Sequence, residues 1–249
     1  MKATAGVRVR NVGGSNIINI LIIPGVTGII TNVAIQKTTF KYEIPYMLLI
    51  TAVILVMGMT GNEITFIEGV ILWILFIAYL LYLYFLAKKG NDSGDEQSVK
   101  LYPVWKCLLF IVLGGVCVVI GSQFVVNGAT TIARACGMSE RFIGLTIVAF
   151  GTSLPELVTS VSAARKGNAG IAIGNIVGSN IFNILFVIGT VALICPVPFE
   201  SRFVIDTVVA ILCGVLLWGG TIRHKELRKP CGVVMLLCYA AYFVYLAAM

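Results

Sequence analysis

Apolar stretches of about 17 to 25 residues recur along the whole of this chain, separated by short polar breaks, and each is long enough to cross roughly 30 Å of hydrocarbon. In that solvent every backbone N–H and C=O must find a partner within the protein, so a span is a helix or a strand of a closed barrel. The alternating pattern of barrel strands is missing. The reading is therefore an all-α integral membrane protein with eight spans, near 11–34, 44–60, 64–87, 104–124, 139–164, 170–194, 203–220 and 230–248. A composition that is 59% hydrophobic and only 12% charged, with mean hydropathy +0.99, lies outside the range of soluble domains.

The net charge of +7 would suggest nucleic acid in a soluble chain. Here its meaning lies in how Lys and Arg divide between the two faces of the membrane. Twelve fall in the connections on one side, among them Lys88, Lys89, Arg165, Lys166, Arg223 and Lys225, and six fall on the other. The positive-inside rule then predicts a multi-pass cell-membrane protein with a cytoplasmic 88–103 loop and both termini outside. Nucleic acid is not expected as a partner, and the bilayer is. The seven cysteines show no metal-ligand spacing and read as small core hydrophobes.

Displaced by 164 residues, NVGGSNIINILIIPG (11–25) falls on NIVGSNIFNILFVIG (175–189), and Asn11, Gly14, Ser15, Asn16, Ile17, Asn19, Ile20, Leu21 and Gly25 recur identically. Displaced by 163, EGVILWILFIAYLLY (68–82) falls on CGVVMLLCYAAYFVY (231–245), with Gly, Val, Ala and two Tyr in register. Five spans separate corresponding segments, so the two copies cross in opposite directions, an inverted-repeat transporter arrangement with its site between the repeats. The expected organisation is a partial first repeat of three helices (1–87), a short linker (88–103) and a second repeat of five helices (104–249). Counterparts of 104–164 would precede residue 1. The expectation is that the chain starts partway through its first repeat, with an N-terminal hairpin missing or supplied by a partner chain.

Within GLTIVAFGTSLPELVTSVSAA (144–164) stands a carboxylate, Glu156. An ionisable group at a span centre costs about 2.5–3.5 kcal/mol on insertion scales for Asp, Lys or Arg, and is functional by default. No Lys, Arg or His lies in the central part of 139–194 to pair with it, which leaves a bound cation as its natural partner. Pro155 removes a backbone donor and frees carbonyls near Ala149 and Gly151, while Thr152 and Ser153 add hydroxyl oxygens. The next span offers Asn175, Ser179, Asn180 and Asn183. Ser179 and Asn183 share a helix face, and Ser15 and Asn19 repeat that face in the first copy. Carboxylate, amide, hydroxyl and carbonyl are hard oxygens, suited to calcium or sodium. Duller roles compete: Ser and Asn as interhelical glue, and Gly170, Gly174 and Gly178 as close-packing positions. Asp206, Glu68 and Glu63, at span ends, read as solvated. No nucleophile and base pair and no phosphate-cradling loop is present, so neither an enzyme nor a resident cofactor is expected.

GLTIVAFGTSLPELVTS (144–160) followed by GNIVGSNIFNIL (174–185), with a weaker inverted echo at 11–21, resembles the sodium/calcium exchanger family of cation antiporters. The likeness spans nearly the whole chain. It implies a ten-helix fold of two inverted five-helix repeats, of which this chain would hold about eight helices. It also implies that Glu156, Thr152, Ser153 and the Ala149 carbonyl are ion ligands together with Ser179 and Asn183, and that Ser15 and Asn19 are the symmetric pair. Sodium and calcium would compete for these oxygens and exchange by alternating access. Three departures go with the resemblance. The twin of GTSLPE would precede Met1, Arg8 and Arg10 stand where the second copy has Ala172 and Gly174, and Asn183 occupies a place that is acidic in some members. The expected function is calcium-for-sodium antiport, incomplete as this chain. The alternatives are a non-transporting or partner-dependent fragment of the same fold, and a proton- or potassium-coupled calcium antiporter.

Overall fold

The computed structural model describes residues 2–90, 102–138, 143 and 147–248. Most of the 88–103 linker and the start of the expected 139–164 span lie outside the described residues. In chain order the elements are α1 (Lys2–Ile30), β1 (Val33–Ala34), a π-helical turn (Thr39–Glu43), α2 (Ile44–Gly61), β2 (Glu63–Ile64), α3 (Phe66–Gly90) and α4 (Val104–Ala135). They continue with α5 (Ala149–Thr152), α6 (Leu154–Arg165), α7 (Ala169–Phe182), a second π-helical turn (Asn183–Ile188), α8 (Gly189–Ile194), β3 (Val197–Pro198), α9 (Ser201–Thr221), β4 (Glu226–Leu227) and α10 (Lys229–Ala248).

Among the described residues, seven helical runs are long and apolar enough to cross a membrane. Of the expected 139–164 span, the described part holds α5 and α6, two short helices interrupted at Ser153. Two boundaries differ from expectation. Helix α1 starts at Lys2 and stops at Ile30, where the chain turns into β1. Helix α4 runs for 32 residues to Ala135, because Gly121 and Ser122 lower helix propensity without removing a hydrogen bond. In the most apolar window of α1, 72% of residues are buried, against none in α4, so α1 lies at the centre and α4 at the rim.

Contacts recur in pairs related by the sequence displacement. β1 pairs antiparallel with β4, Val33 opposite Leu227, and β2 pairs antiparallel with β3, Ile64 opposite Val197. Among the described residues, Asn62 and Lys225 are the two non-glycine residues with positive φ, 53° and 52°. Each offers its carbonyl to the other copy: Phe199 N–H donates to Asn62 O at 2.7 Å, and Ile35 N–H to Lys225 O at 2.9 Å. Between these anchors the first copy carries one residue more than the second. The π-helical turn Thr39–Glu43 accommodates it, whereas the corresponding stretch of α9 is ordinary α-helix. This explains why the displacement falls from 164 to 163 residues along the chain.

Lipid offers helices no hydrophobic reason to associate, so backbone proximity and packing must hold them. At the α1–α10 crossing, a Cβ on Gly232 would stand 2.8 Å from the Gly25 carbonyl, and one on Gly25 would stand 2.7 Å from Leu236. The symmetric crossing of α3 with α8 does the same with Gly69 and Gly189, where a Cβ on Gly69 would lie 3.1 Å from the Gly189 carbonyl.

Three further sequence readings are corrected. Asp206 is buried rather than solvated, at 8% exposure, and accepts a 2.7 Å hydrogen bond from the Tyr242 hydroxyl. All seven cysteines are free, and only Cys213 is buried while Cys107, Cys117, Cys136 and Cys238 face outward, since an apolar thiol is at no disadvantage against lipid. Gly174 and Gly178, read as close-packing positions, have no described atom within 4 Å of an added Cβ.

Gly232→Ala is expected to cost about 1–3 kcal/mol through overpacking at the α1–α10 crossing and to lower the thermal midpoint in detergent. Gly114→Ala, where an added Cβ meets nothing within 4 Å, should leave the midpoint unchanged or slightly raised. Equal midpoints for the two variants would contradict the packing role of the glycine crossing.

Candidate cation site

The interruption at Ser153 sets the geometry of the site. Ser153 lies between α5 and α6 with φ −100° and ψ 1°, and Pro155 follows in the first turn of α6, where its missing N–H is least costly. Ser153 N–H closes the end of α5 on Phe150 O at 3.0 Å, and Leu157 N–H opens α6 on Ser153 O, also at 3.0 Å. Ala149 is the first residue of α5. Gly151 packs onto Val126 of α4 with no room for a Cβ. Glu156 thereby falls in the first turn of α6, where the positive end of the helix dipole favours a carboxylate.

Helix α7 lies along this hairpin and brings Ser179 to Glu156, whose Oε1 accepts the Ser179 hydroxyl at 3.0 Å. Glu156 Oε2, Ser153 Oγ and Asn19 Oδ1 are buried and have no hydrogen-bond partner. A buried polar oxygen left unpaired costs about 1–3 kcal/mol, and a charged one costs more. Three of them on elements that pack against one another are a donor set without its acceptor. Thr152, on the same turn, is exposed.

Ser15 and Asn19 separate. The Ser15 hydroxyl turns back to Val12 O of its own helix at 3.0 Å, while Asn19 joins the interior. Asn19 Nδ2 donates to Asn180 Oδ1 at 3.2 Å, and Asn183 Nδ2 donates to Asn16 Oδ1 at 3.1 Å. These two bonds are mates under the 164-residue displacement, and Asn180 Nδ2 closes the figure on Asn16 O at 3.3 Å. Each bond commits an amide nitrogen, so Asn19 and Asn183 are both left with Oδ1 as the atom for an ion. The sequence reading of the site named Asn180 without giving it a partner and omitted Asn16, although both stand in the identical Ser-Asn-Ile triplets of the two copies. Asn175 is a helix tie, donating to Thr159 Oγ1 at 3.1 Å and Ser160 Oγ at 3.2 Å.

Among the described residues no three His, Cys, Asp or Glu side chains gather where they could hold a metal ion. The donor set around Glu156 is thus one carboxylate with neutral hydroxyl and amide oxygens. Such a set can hold a hard cation that is taken up and released, because hard cations bind oxygen and neutral donors keep the affinity moderate.

Comparison with known proteins shows likeness over nearly the whole chain. CaxA of Alkalimonas amylolytica is 34% identical over 244 residues, covering 94% of this chain and 76% of that protein. The sodium/calcium exchanger MaX1 of Methanosarcina acetivorans is 38% identical over 142 residues, covering 57% of this chain and 41% of that protein. A solved structure of the sodium-calcium exchanger NCX_Mj, soaked with zero Na+ and Ca2+, superposes with a TM-score of 0.79 at 30% identity, covering 96% of this chain and 76% of that one. The sodium/calcium exchanger protein family matches residues 1–85 and 106–248, and the chain belongs to that family.

Proposed function

We propose that this protein exchanges calcium for sodium across the membrane by alternating access, with the ions bound among Glu156, Ser153, Thr152, the Ala149 carbonyl, Ser179, Asn183 and Asn19. Ser15 would join only after releasing Val12 O. The observation that carries the reading is the set of buried, unpartnered oxygens, Glu156 Oε2, Ser153 Oγ and Asn19 Oδ1. The likeness to exchangers named for sodium and calcium supports the choice of ions.

Coupling follows from the charge. Without a cation, the Glu156 carboxylate is an unpaired ion inside the membrane, and moving it across a closed state in that condition is costly. Two sodium or calcium ions cannot share the same oxygens, so one is released as the other enters, and the carrier changes orientation only when loaded. Asn16 and Asn180 serve as positioning residues, since their bonds fix which end of the Asn19 and Asn183 amides faces the ion.

We assign residues 1–87 to a first repeat with three helices, 88–103 to a cytoplasmic connection and 104–249 to a second repeat with five, with both termini outside. The symmetric strand pairs and glycine crossings support the first assignment, and the charge division supports the orientation. A second reading, in which transport needs a partner chain or hairpin bearing a second carboxylate, is favoured by the single acidic group in the donor set. The coupling ion separates the remaining alternative, a proton- or potassium-driven antiporter.

In proteoliposomes, an outward or inward sodium gradient is expected to drive calcium flux that a pH or potassium gradient does not, and Glu156→Gln should reduce it at least about tenfold, as expected when a charged ligand becomes neutral. Unchanged flux in Glu156→Gln would refute the site. No flux in the wild-type chain alone, restored on adding a partner, would select the second reading. Asn180→Leu is expected to raise the apparent KM for calcium by about tenfold with a smaller change in maximal rate, because it frees the Asn19 amide to turn without removing a ligand. A fall in rate at constant KM would argue against positioning.

A further inference from the structure

The two tyrosines that recur at 79 and 82, and again at 242 and 245, play no part in the cation site, and each pair stands beside a buried carboxylate. In the second copy the arrangement is closed, the Tyr242 hydroxyl donating to Asp206 Oδ1 at 2.7 Å. The corresponding carboxylate in the first copy is Glu43, only 7% exposed and presented by the π-helical turn that houses the extra residue. Here, among the described residues, no tyrosine hydroxyl hydrogen-bonds it. Glu43 instead borders a cavity of about 290 Å³ lined by Tyr42, Tyr46, Ala78, Tyr79 and Tyr82. Tyr46 is committed to Leu75 O at 2.9 Å, and the Tyr82 hydroxyl is buried.

We propose that this cavity binds an alkylammonium cation, its N–H groups donating to the Glu43 carboxylate while its carbons lie on the tyrosine rings. The chemistry selects the class. Calcium takes six to eight oxygens, and this wall offers one carboxylate among tyrosine rings. The volume is far larger than a bare metal ion, whereas it approaches the lower range of small-molecule pockets at about 300 Å³. Tyrosine faces attract weakly hydrated organic cations, and the structure already shows the preference at the rim, where Lys41 Nζ sits 5.3 Å from the centre of the Tyr42 ring. An ammonium would also neutralise a carboxylate that, among the described residues, has no ion pair. The amine has two possible sources, a lipid headgroup bearing a primary ammonium or a free amine from solution.

The test uses the whole purified chain in detergent. Calorimetric titration with n-butylammonium is expected to show saturable binding, tighter than tetramethylammonium, which has no N–H to donate. Glu43→Gln should weaken it at least about tenfold and Tyr42→Leu by about threefold, the second variant removing an exposed ring face from an otherwise unaltered fold. Asp206→Asn, at the closed counterpart, should bind butylammonium as the wild type does. Native mass spectrometry distinguishes the sources: preferential retention of phosphatidylethanolamine over phosphatidylglycerol, lost in Glu43→Gln, marks a lipid headgroup, and butylammonium binding without that preference marks a soluble amine. The absence of both, or binding to Glu43→Gln at wild-type strength, overturns the proposal.

Discussion

The centre of this protein is held by two side-chain amide bonds, Asn19 to Asn180 and Asn183 to Asn16, that cross between the two copies of one sequence motif. In a membrane interior an amide without a partner costs several kcal/mol, and water cannot fill the gap. The four asparagines therefore have to meet. Their meeting fixes the register of α1 against α7, and with it the position of every residue that those helices carry. The connecting strands, the left-handed residues Asn62 and Lys225 and the glycine crossings all repeat in pairs around that centre.

Departures from the pairing are where chemistry collects. The hairpin with its interruption at Ser153 leaves Glu156 Oε2 and Ser153 Oγ buried and unsatisfied, a standing cost that a bound cation would relieve. The extra residue of the first copy is absorbed by a π-helical turn, and that turn presents Glu43 to an open cavity where the second copy has a closed Asp206–Tyr242 bond.

Much of the candidate site was legible because membrane chemistry makes an apolar span with one carboxylate a rare event. Glu156, and Ser179 and Asn183 on one helix face, could be named from spacing alone, and the structure puts Ser179 on Glu156 at 3.0 Å. Ser15 could not be placed. A serine in a helix can return its hydroxyl to the preceding turn, and only the surroundings decide whether it does. The roles of Asn16 and Asn180 were hidden for a related reason: they are defined by partners 167 and 161 residues away in the chain. Asp206 looked solvated because its position at the end of a span says nothing about Tyr242, which covers it.

What the sequence determined by itself is what local physics and the lipid solvent dictate: helical spans, their approximate number, the break before Pro155, the duplication and its opposite sense. These follow from the length of apolar runs, from backbone hydrogen bonding and from counting crossings, and none requires knowledge of which helix touches which. Only the tertiary structure decided which oxygens are committed and which are left for an ion, which of two equivalent carboxylates is closed by a tyrosine, and where the one-residue difference between the copies is stored. The physical reason is that a polar group's role in a membrane protein depends on whether its hydrogen-bonding capacity is met. That capacity is met by residues brought close through packing across the whole length of the chain.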